Sequence, residues 1–202
     1  MSAFRPPTLP AIPVLGIAAL LVAACGGGGA SYPDSSDVKT AQATWCQALA
    51  KLNGSGDAWE DLGACKGAYP TASAAYLRGM TRCFTARHEA AGEDAPDNSQ
   101  LITECNDEVT VEMSADGPGS KEVIEARCQR AERCEKVSAA DCKTAVDKLE
   151  TAQRVVLTTT YNAGALHAIA DCLSSSSCSD DEEAARDSCY KPSFEKLLWF
   201  PD

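Results

Sequence analysis

The residues with the widest chemical repertoire in this 202-residue chain are its 11 cysteines. A thiolate can bind a metal, attack a carbonyl or exchange with a disulfide, and spacing and surroundings decide among these roles. Ten of them (Cys46, Cys65, Cys83, Cys105, Cys128, Cys134, Cys142, Cys172, Cys178 and Cys189) contain no Cys-x-x-Cys pair, so neither a zinc knuckle nor a thioredoxin-like redox site is indicated. Only His88 and His167 could supplement thiolates as metal ligands, and no metal or cofactor site is expected. An even set of ten reads as up to five structural disulfides formed outside the cytosol, which leaves no thiol free as a nucleophile. His88 falls one turn beyond Phe84, near a helix end where an imidazolium suits the helix dipole. His167 adjoins an apolar stripe. A general base needs a nucleophile and an orienting acid converging on it, and the sequence nominates neither. No G-x-S-x-G, H-E-x-x-H, phosphate loop or dinucleotide fingerprint is present, so no catalytic residue is assigned. The clusters Glu93-Asp94 with Asp97, and Asp180-Asp181-Glu182-Glu183, lack the ligand spacing and central glycine of a calcium loop. They read as solvated surface and helix N-terminal charge.

The eleventh cysteine, Cys25, stands apart. Before it lies the apolar run VLGIAALLVAA, residues 14 to 24, the length of a signal-peptide core and too short to cross a bilayer as a permanent helix. Met1 and Arg5 carry the only positive groups upstream. Val22-Ala23-Ala24-Cys25 resembles the lipobox of bacterial lipoproteins, an aliphatic residue and two small ones before a cysteine. The resemblance implies a diacylglyceryl group on the Cys25 thiol, cleavage between Ala24 and Cys25, and acylation of the new amine. Two or more acyl chains make the anchor effectively permanent. Gly26 stands where an inner-membrane retention signal of the enteric type would show Asp, which implies the outer membrane. Without residues 1–24 the chain loses Arg5, and its balance moves from −11 to −12. Nucleic acid and anionic lipid are therefore poor partners, since both reward a basic patch that is absent here.

Stepping outward to the elements, residues 25–37 carry the lipidated cysteine and a Gly/Ser/Pro/Asp run read as a flexible tether. Residues 38–113 form a first helical unit. Val38, Ala41, Trp45, Leu49 and Leu52 define its first helix, and Asn53-Gly54 the stop. A short amphipathic piece follows around Trp59 and Leu62. Thr71 is the expected cap of a helix carrying Tyr76, Leu77, Met80, Cys83 and Phe84, and a third carries Leu101, Ile102, Cys105 and Val109. Residues 114–120 are a linker, and 121–202 form a second unit with an apolar tail, Phe194, Leu197, Leu198, Trp199 and Phe200. The second unit echoes the first: Cys46 aligns with Cys128, Leu77, Met80, Cys83 and Phe84 with Leu166, Ile169, Cys172 and Leu173, and Cys105 with Cys189. From Cys142 a 3,4 spacing continues to Leu173, predicting one long helix that is weakest from Thr158 to Gly164. Ser138-x-x-Asp141 predicts a capping box, Asp180 or Asp181 a cap, and Pro192 the end of the last helix. The fold class is all-α: two tandem three-helix, disulfide-stapled units, or one merged bundle. For connectivity, Cys83 suits Cys105, leaving Cys46 with Cys65. Cys134 and Cys178 both lack counterparts in the first unit and are plausible partners, with Cys134–Cys142 a rival.

A lipobox before an Ala-rich, acidic, helical region with scattered paired cysteines resembles the cysteine-rich lipoproteins of myxobacteria. That resemblance implies a compartment and a style of fold, with no catalytic residue to carry over. The expected role is a non-enzymatic module presenting an acidic surface to another envelope protein or to a cell-wall component, tied to the membrane by its lipid. The alternatives are an envelope hydrolase with a non-motif site, announced by a deep polar pocket around His88 or His167, or a binder of a small apolar ligand.

Overall fold

A computed structural model describes residues 32–52, 62–92 and 96–197. These form α1 (Ser35–Leu52), α2 (Leu62–Ala68), α3 (Ala74–Ala91), α4 (Asn98–Glu112), α5 (Ser120–Glu135), α6 (Ala139–Asp147), α7 (Thr151–Leu157), α8 (Ala163–Ser175) and α9 (Glu182–Phe194). The class is all-α, with no strand among the described residues. The signal-peptide core, the Cys25 lipobox, Asn53-Gly54, Trp59, and the Leu198, Trp199 and Phe200 tail lie outside them.

Each long helix buries the stripe its sequence carries. Val38, Ala41, Trp45 and Leu49 of α1 face Tyr76, Leu77, Met80, Cys83 and Phe84 of α3, all 7 % exposed or less. Trp45 sits edge-on to Phe84 and Tyr69, with ring centroids 5.3 and 6.1 Å apart, the arrangement that aromatic quadrupoles favour. α3 crosses α4 closely because residue 79 is glycine. A Cβ there would stand 2.6 Å from Val109 Cγ1.

All ten cysteines of the folded region are paired: Cys46–Cys65, Cys83–Cys105, Cys128–Cys142, Cys134–Cys178 and Cys172–Cys189. Cα separations of 4.9 to 5.8 Å suit the bridge. No bridge crosses residues 114–120, and four of the five obey one pattern in two matched pairs. Cys46–Cys65 joins α1 to α2 as Cys128–Cys142 joins α5 to α6. Cys83–Cys105 closes the α3/α4 hairpin as Cys172–Cys189 closes α8/α9. The rival pairing of Cys134 with Cys142 is excluded. Cys134 bonds Cys178, the other cysteine without a counterpart.

The helix order α1, α2, α3, α4 thus matches α5, α6, α8, α9, with α7 additional, and the two sets clasp each other reciprocally. Ala72 and Tyr161 form an isolated antiparallel bridge. The Ser73 amide donates to Thr160 O and the Asn162 amide to Thr71 O, both at 2.8 Å. The side chains repeat the exchange: Ser73 Oγ donates to Thr159 O at 2.6 Å, and Asn162 Nδ2 to Pro70 O at 2.7 Å. Ser73 Oγ also accepts from Tyr76 N and Asn162 Oδ1 from Ala165 N, so each residue is the N-cap of its own helix. Every one of these partners is related by the same offset of 89 residues (73 to 162), the offset that aligns Leu77 with Leu166.

Four sequence expectations are corrected. The stripe from Cys142 to Leu173 is three helices, α6, α7 and α8, and Ala145 and Val156 on it are exposed. The chain turns at Thr158-Thr159-Thr160, whose buried hydroxyls bond backbone carbonyls: Thr158 donates to Arg154 O at 2.6 Å, with Ala115 O of the linker a second acceptor at 3.2 Å, Thr159 to Ser114 O of the linker, and Thr160 to Val155 O. α3 is capped by Ser73 rather than Thr71, whose hydroxyl donates instead to Ser193 O. α9 runs through Pro192 to Phe194, the proline falling in its last turn. The tether ends earlier than residue 37. Asp34 Oδ2 accepts from Ala163 N at 3.0 Å, and the Tyr32 ring covers Gly164, where a Cβ would meet it at 2.9 Å. The Ser138 cap stands as expected, with Asp141 N donating to Ser138 Oγ at 3.1 Å, and Asp181 rather than Asp180 caps α9.

Asn162→Ala removes a cap and leaves Pro70 O without its Asn162 donor. A loss of about 3 kcal/mol in urea unfolding is expected, against about 2 kcal/mol for Ser73→Ala. Losses near zero for both would mean that the clasp contributes nothing.

Candidate functional site

The candidates divide by position. Ala24 and Cys25, the proposed cleavage and lipidation residues, lie outside the described residues, as do Glu93 and Asp94. Asp97 is the N-cap of α4, accepting from Ser99 N and Gln100 N. Of the second acidic cluster, Asp181 caps α9 and Glu182 pairs with Arg127 at 2.6 Å, tying α9 to α5. Among the described residues no group of three or more His, Cys, Asp or Glu side chains is placed to hold a metal ion.

The two histidines are not brought together. His88, in the last turn of α3, lies against Phe84 with centroids 4.9 Å apart, and its Nε2 is 3.1 Å from Asn98 Oδ1. It links the end of α3 to the start of α4, as a capping side chain does. His167 on α8 sits between carboxylates from two helices: Nδ1 is 2.7 Å from Glu122 Oε1 of α5, and Nε2 is 3.3 Å from Asp171 Oδ2 one turn on. Tyr32 closes a third side, its ring centroid 5.7 Å away. The hydrogen bond to Glu122, then the charges of Asp171 and Glu122, raise the imidazole above its usual value of 6.5. Both ring nitrogens are engaged with acids and the side chain is 41 % exposed. This geometry holds a proton on the ring; it does not aim a free imidazole at a hydroxyl.

A buried charge that the sequence reading passed over is Arg130, 2 % exposed on α5. Its guanidinium donates to Ser176 Oγ at 2.9 Å, Asp180 O at 2.7 Å and Glu135 Oε1 at 2.6 Å. A guanidinium with its donors satisfied can be buried at tolerable cost, and this one pins the loop that carries Cys178. The available signal was positional, since Arg130 lies beside Ala131 on the inner face of α5.

Two of the concavities among the described residues bear on function. A cleft of about 410 Å³ lies beside the clasp, lined by Tyr32, Val38, Lys39, Gln42, Lys66 and Asn162. An open, mainly apolar groove of about 340 Å³ runs between α7 and α9, walled by Val156, Tyr161, Tyr190 and Phe194, with Arg186 and Lys191 at its edge. Val156 and Phe194 are exposed there. In the groove, burial pushes the Tyr161 phenol up to about 12 and raises Tyr190, whose hydroxyl donates to Leu157 O at 2.9 Å. Among the described residues, no helix is long and apolar enough to cross a membrane.

No family model, curated protein or solved structure matches this chain.

Because the folded state raises the His167 value, the pairing stabilises fully below about pH 6.5 and its contribution is lost as pH rises through the folded value. His167→Gln is expected to flatten that part of the stability profile, read as urea midpoint against pH. A variant profile parallel to that of the parent would show that the three groups do not interact.

Proposed function

We propose that the chain is a membrane-anchored cell-envelope lipoprotein whose helical part is a non-enzymatic interaction module. Val22-Ala23-Ala24-Cys25 after an apolar run carries the reading. Five bridges that consume every other cysteine support it, because such bonds persist in oxidising compartments and give way to thiols in the cytosol. The lipid on Cys25 supplies the membrane attachment. With a formal charge of −12 after leader removal, the module offers an acidic surface to another envelope protein or a cell-wall component, and Gly26 favours the outer membrane.

The open, exposed groove between α7 and α9 favours a second reading, a binder of a small apolar ligand. The hydrolase reading gains nothing from His88, engaged with Asn98, or from His167, engaged with Glu122 and Asp171.

Full-length protein expressed in a bacterial host and extracted from membranes tests the proposal by intact mass and thiol titration. The expected species lacks residues 1–24, carries diacylglyceryl and acyl mass on Cys25, and titrates no thiol until reduced. Cys25→Ala is expected to leave the membrane fraction's detergent phase. Wild-type protein recovered in the aqueous phase with its leader attached would contradict the reading.

A further inference from the structure

The proposed anchor and the observed docking of Tyr32 together fix which face of the module meets the bilayer. Only seven peptide steps separate Cys25 from Tyr32, a span of about 25 Å at full extension. Tyr32 is not free to lengthen that leash, since its ring lies on Gly164 and near His167 while Asp34 caps α8 two residues later. The surface around Tyr32 can therefore stand no more than about 25 Å from the proposed anchor, which brings it within reach of the bilayer.

That surface carries the 410 Å³ cleft, and Lys39 of α1 and Lys66 of α2 are among the residues that line it. Neither lysine has an ion-pair partner among the described residues, and the acid lining the same cleft, Asp34, is engaged at the N-terminus of α8. On a chain of net charge −11, whose composition as a whole suits anionic lipid poorly, a cleft lined by two lysines without an ion-pair partner among the described residues, beside one engaged carboxylate, is a local electrostatic exception. Tyr32, Val38 and Pro70 add apolar wall, and Gln42, Thr71 and Asn162 polar edge.

We infer that this cleft receives the phosphate of an anionic membrane lipid, with Lys39 and Lys66 as its cationic contacts, so that the lipid anchor and the headgroup together orient the module on the bilayer. The inference rests on lipidation of Cys25. An anionic bilayer surface attracts lysines within a Debye length of it and repels the acidic remainder, which turns one face inward and the others out.

The test uses the mature, membrane-extracted protein reconstituted in vesicles of phosphatidylcholine alone or of equal parts phosphatidylcholine and phosphatidylglycerol. Intact mass first reports the lipid on Cys25. Acetylation rates of individual lysines are then read by peptide mass spectrometry. Lys39 and Lys66 are expected to react about fivefold more slowly on the anionic vesicles than on neutral ones, an effect lost in high salt, while Lys51 and Lys136 react alike on both. Unchanged rates at Lys39 and Lys66 on a protein that carries its lipid would overturn the cleft assignment and leave the anchor reading standing. Equal protection by inorganic phosphate on neutral vesicles would also overturn it, since the lysines would then read phosphate and no membrane surface. A mass without lipid would end both.

Discussion

The structure hangs on a reciprocal exchange of hydrogen bonds between two short extended segments, residues 70–73 and 159–162. A helix N-terminus leaves backbone donors unsatisfied, and a buried extended segment leaves carbonyls unsatisfied. Ser73 and Asn162 answer both needs at once. Each caps its own helix with a side-chain oxygen and uses its amide and side-chain donor on the other segment's carbonyls. Because either residue serves the other half, neither α3 nor α8 can be positioned fully without its counterpart.

The other features follow from that geometry. The bridges secure each half internally: each long helix of the clasp, α3 and α8, is stapled to the helix after it, and each preceding helix, α1 and α5, to its short successor. Small helical units hold modest cores, and a bridge typically adds about 2–4 kcal/mol, mostly by restricting the unfolded chain. Between the halves no disulfide is found among the described residues, so cohesion there rests on the one apolar core to which both contribute, Leu77 and Phe84 with Val123, Leu166 and Ile169 among its members, and on the clasp, on α7 against α4, on the threonine turn holding Ser114 and Ala115, and on Asp34 at α8. Arg130 and the Cys134–Cys178 bridge secure the Ser176–Asp181 loop, which the first half has no equivalent for.

Much of this was legible in the residues. The stripes of α1, α3 and α4 bury where their 3.6-residue periods place them, and the shared lack of a counterpart nominated Cys134–Cys178 beside a rival, Cys134–Cys142, that only the packing excludes. The offset of 89 was visible as aligned apolar residues, but its meaning was not. Periodicity reports which face is apolar and is silent about hydroxyls that prefer a neighbouring carbonyl, so the stripe continued on paper through Thr158–Thr160 where the chain turns. Tyr32 and Asp34 were missed for a related reason. A Gly/Ser-rich run reads as unstructured, although an aromatic ring and a capping acid within it were the signal that it ends on something. Lys39 and Lys66 lie 27 residues apart, and only the packing of α2 on α1 sets them around one cleft.

The proposed function is one of attachment and orientation: a body with paired cysteines and an acidic surface would act through what its lipid holds it next to. That reading needs the two halves to stay together, which the structure assigns to their shared apolar core and to the clasp of residues 70–73 with 159–162. Native-state hydrogen exchange at the Ser73 and Asn162 amides tests that claim most directly. The account predicts that both exchange only with global unfolding, at the rates of amides deep in the same helices such as Phe84 and Leu173. Exchange of either amide well ahead of those core positions would show that the halves part without unfolding, and would contradict it.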